Sequence, residues 1–384
     1  MKFIKKLLIG LVLFFGVAIA AMYVFDVDYL LKAIRTVYFN GHTTAFLDDF
    51  KYFDNRTITK SANPQPWPVA DAYNKLKPTR RLEDLHKKIG TVAFLVIKND
   101  SLLSESYYDG YRQNSRSNSF SMAKSIVSAA LGKAIKEHKI KGLDQRVSDF
   151  FPQYANGPSA TMTVGDLSSM SSGLDWDESY YSPFSVTTRA YFDDDLANVA
   201  LGQKGVEQPG NSFKYLSGNT QLLAMVIEKA TGKDLASYVS ESFWQPMGFE
   251  NDALWQTDHE NGLVKAYCCI ASNARDFARF GKLYKQYGKW NGQQILDSVF
   301  VAKSTQPRFN IAPHYGYGWW LSDYKDKKIF YMRGHLGQYV IVIPEDELII
   351  VRLGEQHQRS TVGSPHSDDF FVYIDESYRM LGQR

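Results

Sequence analysis

Strand-like segments lie near both ends of this chain and helical ones fill the middle, and that order constrains the fold more than any other feature. TVAFLVIKNDSLLSESYYDG (91–110) is two apolar stretches around Asn99-Asp100, which reads as a β-hairpin. Near the other end, KIFYMRG (328–334) and QYVIVIPEDELIIVRLG (338–354) alternate or run apolar around Pro344-Glu345-Asp346-Glu347, a second hairpin. Between them, segments 121–136, 163–173, 220–232 and 272–288 carry a 3.6-residue apolar period, and SDDFFVYIDESYRML (367–381) closes the chain as an amphipathic helix. The pattern predicts an α+β fold: one antiparallel sheet built from N- and C-terminal segments, flanked by helices, with a helical insertion.

The N-terminus sets the compartment. Lys2, Lys5 and Lys6 precede 19 uncharged positions, Leu7 to Phe25, which is long enough to span a bilayer. The lysines keep that end in the cytoplasm and send the rest out. Ala18-Ile19-Ala20 resembles a signal-peptidase site, but Met22 to Phe25 stay apolar beyond it, which favours an uncleaved anchor over a cleaved signal. The expected location is a bacterial inner membrane facing the periplasm, or the exterior if the segment is cleaved. Expected boundaries are 1–25 for the anchor or signal, 26–68 for a connector ending in the Pro-rich run 63–68, and 69–384 for one compact domain.

Ser121 and Lys124, in NSFSMAKSIVSAALGKAI (118–135), open an Ala/Ile/Leu-rich helix. A lysine on the inner face of such a helix is paired, snorkelling to water or chemically used. The i, i+3 spacing puts the ammonium within reach of the hydroxyl, partial burial lowers the lysine pKa towards that of a proton acceptor, and the first helical N–H groups lack backbone partners. Spacing alone is weak, because Ser322-Asp323-Tyr324-Lys325 repeats it in what reads as a solvated loop. Order adds specificity: Tyr215 and Ser217 follow Pro209-Gly210 in a turn before a helix, and His335-Leu336-Gly337 precedes an apolar strand.

With these three elements in order, the chain resembles the class C β-lactamase-like serine hydrolases over roughly residues 80–384, a group that includes D-alanyl-D-alanine peptidases, family VIII-type esterases and 6-aminohexanoate-dimer hydrolases. The resemblance implies a β-lactamase/DD-peptidase-like fold with Ser121 as acylated nucleophile and Lys124 and Tyr215 in proton transfer. It also implies an oxyanion hole from the backbone N–H groups of Ser121 and Gln338, and substrate contacts from Ser217, His335 and Gly337. One of Trp319 and Trp320 is expected to line the acyl pocket, with Trp319 carried as the candidate.

Two departures bear on substrate. Serine replaces asparagine at 217, and His335-Leu336 replaces a lysine and a hydroxyl residue, so a carboxylate clamp is weakened. The expectation is a cofactor-free hydrolase acting on a small ester or linear amide, closest to the aminohexanoate-dimer and esterase branch. A true β-lactamase or D-alanyl-D-alanine peptidase, and a non-catalytic penicillin-binding-like module, are the alternatives. Net charge of +3 without a basic run argues against nucleic acid. Asp175-Trp176-Asp177-Glu178 and Asp193-Asp194-Asp195 read as solvated charges rather than metal ligands, and H-E-x-x-H, C-x-x-C, Walker and G-x-S-x-G motifs are absent. Cys268 and Cys269 are adjacent, a spacing that seldom bridges, and read as packing residues.

Overall fold

The computed structural model of the protein describes residues 2–382. Its centre is a six-stranded antiparallel sheet of β1 (Thr91–Lys98), β2 (Ser101–Tyr107), β3 (Trp320–Tyr324), β4 (Lys327–Gly334), β5 (Gln338–Ile343) and β6 (Leu348–Gly354), in the order β2-β1-β6-β5-β4-β3. The two ends of the chain meet where β1 pairs with β6, Val96 opposite Ile350. Asn99 and Asp100 both take positive φ, 50° and 59°, as a two-residue hairpin turn matching the strand twist requires.

The main helices are α1 (Lys2–Val24), α2 (Tyr29–Thr36), α3 (Ala123–Lys136), α4 (Val186–Phe192), α5 (Ser217–Thr231), α6 (Ala274–Lys285) and α7 (Asp368–Met380). Alternation along β1 feeds two cores. Leu95 and Ile97 join Val340, Val342 and Val351 against α3, α5 and α6, while Phe94 and Val96 join Ile341 and Ile350 against Leu82, Leu85 and the Phe370, Tyr373 and Ile374 face of α7. α6 lies close on the sheet because Gly281 has no side chain: a Cβ there would sit 3.0 Å from methyls of both Val340 and Val342. A smaller four-stranded sheet of residues 55–58, 253–256, 270–272 and 117–118 leads into α3.

Several expectations change in detail. The helix expected over 163–173 runs only from Val164 to Ser168, and the chain turns at Met170 (φ 61°). Ser322 is in β3 and buried rather than in a solvated loop. Cys268 and Cys269 form a disulfide, against their reading as free packing residues.

α1 is 23 residues long, long and apolar enough to cross a membrane, and buries none of them. Residues 26–53 are fastened to the body of the protein. Tyr29, Ala33 and Val37, one turn apart, pack on Phe53 and Phe192, and Asp26 pairs with Arg189 of α4.

Candidate active site

Ser121 lies in the tight turn Phe120–Met122 that leads into α3, so the helix proper starts two residues later than its sequence suggests. Phe120 has φ 45°, a left-handed backbone that is costly for an aromatic residue. Three hydrogen bonds fix the turn: the Phe120 N–H donates to Asn118 Oδ1 (2.8 Å), the Ser119 N–H to the Ile270 carbonyl (2.7 Å), and the Ile270 N–H to Ser119 Oγ (3.1 Å).

Lys124, in the first turn of α3, is 2% exposed. Its Nζ is 3.0 Å from Ser121 Oγ, 3.1 Å from Ser217 Oγ and 2.9 Å from the Tyr267 carbonyl oxygen, so the ammonium form has an acceptor for each proton. Burial pushes its pKa down to about 8, against the opposing pull of the Glu178 carboxylate. The Tyr215 ring lies 5.0 Å from the same Nζ and packs on Trp320 with centroids 5.2 Å apart. Burial raises the Tyr215 pKa, although Ser121 and Arg333 draw it the other way, and the side chain is a neutral phenol at pH 7.

Glu178 belongs to this cluster, a correction to its reading as a solvated charge. It accepts 2.6 Å bonds from the Ser217 N–H and the Ser217 hydroxyl, and another of 2.6 Å from the Tyr180 hydroxyl. Ser217 therefore bridges Lys124 to a carboxylate. His335 sits at the end of β4, stacked on Tyr180 (5.6 Å) and edge-on to Phe120 (5.5 Å). Burial lowers its pKa to about 4, so it is a neutral imidazole at physiological pH, and its Nε2 is buried without a partner among the described residues.

The third sequence element is shifted relative to its expected reading. The residue that closes on the Ser121 turn is Gly334, where a Cβ would lie 2.3 Å from the Ser119 carbonyl oxygen. Gly337 (φ 82°) is packed instead against Arg352, whose guanidinium binds the Leu336 and Gly337 carbonyls. Gln338 is fully buried opposite Gly334 in the β4–β5 ladder, with its side-chain amide on the His335 and Gly354 carbonyls. A cavity of about 460 Å³ is lined by Phe120, Ser121, Ser217, Tyr267, Cys268 and His335 among others, and neither Gly337 nor Gln338 reaches it. Neither the Ser121 nor the His335 backbone N–H has a partner among the described residues. Trp319 is also displaced from its expected place: it is fully buried against Tyr284 and Phe330, and its neighbour Trp320 covers Tyr215. Arg333 puts a cation on this strand that reading His335-Leu336-Gly337 as the third element did not anticipate; it lies over Trp320 and donates to the Pro365 carbonyl.

Replacing Gly334 by alanine tests that close approach. The added methyl meets backbone rather than a flexible side chain, so the strand end has to move. Labelling of Ser121 by a fluorophosphonate probe is expected to slow about a hundredfold, since small displacements at a reacting centre cost that much. Gly337→Ala, further from Ser121, is expected to cost stability with a smaller loss of rate.

A six-stranded antiparallel sheet built from both ends of the chain, with the Ser121 turn and its helix packed on it, is a β-lactamase-like fold. The chain belongs to the Beta-lactamase family, whose profile matches residues 79–363. It is 27% identical over 298 residues to the 6-aminohexanoate-dimer hydrolase of Paenarthrobacter ureafaciens, covering 71% of this chain and 75% of that one. Among solved structures, a provisionally named 6-aminohexanoate-dimer hydrolase from Bacillus anthracis superposes with a TM-score of 0.72 at 22% identity, covering 88% of this chain and 94% of the other. A family VIII carboxylesterase superposes with a TM-score of 0.61 at 18% identity, over 82% and 99% of the two chains.

Proposed function

We propose that this protein is a membrane-anchored serine hydrolase that cleaves an ester or linear amide through an acyl-enzyme on Ser121. The observation that carries the reading is Lys124: a buried amine 3.0 Å from a hydroxyl in a strained turn, with its pKa brought to about 8. In its neutral form Lys124 takes the proton of Ser121 as Oγ attacks the carbonyl carbon. Tyr215, held as a phenol, passes its proton to the leaving group and regains one from Lys124. Water then enters by the reverse route, losing a proton to the same pair as it attacks the acyl carbon. The unpartnered N–H groups of Ser121 and His335 serve as the oxyanion hole, with His335 in the place first given to Gln338. The hydrolase names of the 27% identical relative and of the structural neighbours support the reading, as does the apolar helix α1 for the anchor.

A panel of short p-nitrophenyl esters, linear amides and nitrocefin tests it. Ester turnover well above nitrocefin turnover is expected; comparable nitrocefin turnover would favour a β-lactamase instead. The pH profile follows from Lys124, whose ammonium form cannot accept the Ser121 proton. Ester kcat/KM is expected to rise about tenfold per pH unit below 8 and to level off above it. A profile flat from pH 6 to 9 would remove Lys124 as the base.

A further inference from the structure

The cavity that receives Ser121 does not stop at the catalytic cluster. It continues along α2 and reaches Met22 in the last turn of α1, with Leu30, Ile34 and Val37 on its wall. No aspartate, glutamate, lysine or arginine lines it. Tyr38 and Tyr181 of its lining are 60% and 84% exposed, and Phe39 and Phe184, next in sequence to lining residues, are 80% and 70% exposed, as aromatic side chains at a membrane–water boundary are. We propose that this channel holds the long acyl chain of an amphiphilic ester or amide drawn from the bilayer in which α1 sits, with the scissile carbonyl at Ser121. The proposal rests on the acyl-enzyme reading and adds the substrate class to it.

Two observations favour an acyl chain over other occupants, and the volume admits one. The lining is uncharged, so a carboxylate-bearing β-lactam or a charged peptide stem would lose its hydration there without a partner. Its volume of about 460 Å³ is in the range of sites that enclose a small molecule. Its far wall is built from the segment that follows the membrane-length helix, held by the Tyr29 hydroxyl on the Pro183 carbonyl (3.0 Å) and by Lys32 on the Asp258 carbonyl (2.9 Å). Residues 26–53 thereby act as one side of a substrate channel as well as joining the anchor to the domain.

The reaction is an ordinary acyl transfer. The carbonyl carbon bonds to Ser121 Oγ, the alcohol or amine leaves with a proton from Tyr215, and water releases the fatty acid, so no oxidant or further reactant is needed.

The test uses the full chain in neutral detergent micelles with p-nitrophenyl esters from acetyl to octanoyl. Each fully buried methylene contributes about fourfold in kcat/KM. The octanoyl ester is therefore expected to exceed the acetyl ester by more than tenfold even with partial burial. Ile34→Trp on α2 and Thr44→Phe on the following loop each fill the channel from a position outside the buried cluster, and each is expected to lower the octanoyl-to-acetyl ratio at least tenfold with the thermal midpoint of the wild type. Two substitutions on separate segments guard against one that disturbs folding, and the wild-type series stands without either. Acetyl turnover equal to or above octanoyl turnover overturns the channel and leaves the acyl-enzyme reading intact. A wild type that hydrolyses no ester, and is indistinguishable from Ser121→Ala, overturns both.

Discussion

Lys124→Met is expected to lower ester kcat/KM by about a thousandfold, in the range ascribed to a positioned general base, without a fall in the thermal midpoint. The two readouts separate because burial has already made the ammonium unfavourable. A shift from the ordinary lysine value to about 8 corresponds to about 3 kcal/mol against the charged form, and methionine fills the same space without that cost. The acid limb of the pH profile should disappear with the amine. A midpoint that falls along with activity would instead make Lys124 a structural tether for Ser217 and the Tyr267 carbonyl.

The second large effect distinguishes two hydroxyls that distance cannot. Lys124 Nζ is 3.0 Å from Ser121 Oγ and 3.1 Å from Ser217 Oγ, and both serines line the cavity. Their other partners differ. The Ser217 hydroxyl proton is committed to Glu178 at 2.6 Å, whereas Ser121 stands beside an unpartnered N–H at the start of a helix. Ser121→Ala is therefore expected to remove ester hydrolysis by about ten-thousandfold or more, to the level left by binding and the oxyanion hole. Ser217→Ala is expected to cost about ten- to a hundredfold and to leave acylation measurable. Equal losses, or a larger one at Ser217, would exchange the roles.

The sheet was readable because β1, β5 and β6 are covered on both faces and so appear as largely apolar runs ended by turn residues, with Arg352 the one charge inside β6. Ser121 and Lys124 were readable for a similar reason: a helix turn puts them together, and the spacing is local. Glu178 was not, because what makes it more than a loop acid is Ser217, 39 positions later in the chain. Gly334 and Gly337 flank the same His-Leu pair, and only the approach of the Ser119 carbonyl shows which glycine the Ser121 turn needs. Trp319 and Trp320 differ by one position, and neighbouring residues entering a strand face opposite sides. The phase that sends one into the core and the other onto Tyr215 is set by packing rather than composition. The eight-residue α2 is too short to stand out by period, although the spacing of Tyr29, Ala33 and Val37, the residue just past its end, is helical.

The central claim is that Ser121 is the atom acylated, and covalent trapping addresses it directly. The full-length protein is treated with a fluorophosphonate probe at pH 8.5, digested and sequenced by mass spectrometry, beside Ser121→Ala and Lys124→Met. The account requires one adduct, on the peptide carrying Ser121, absent from the alanine variant and strongly slowed in the methionine variant. An unlabelled wild type, or an undiminished adduct in Ser121→Ala, would contradict it.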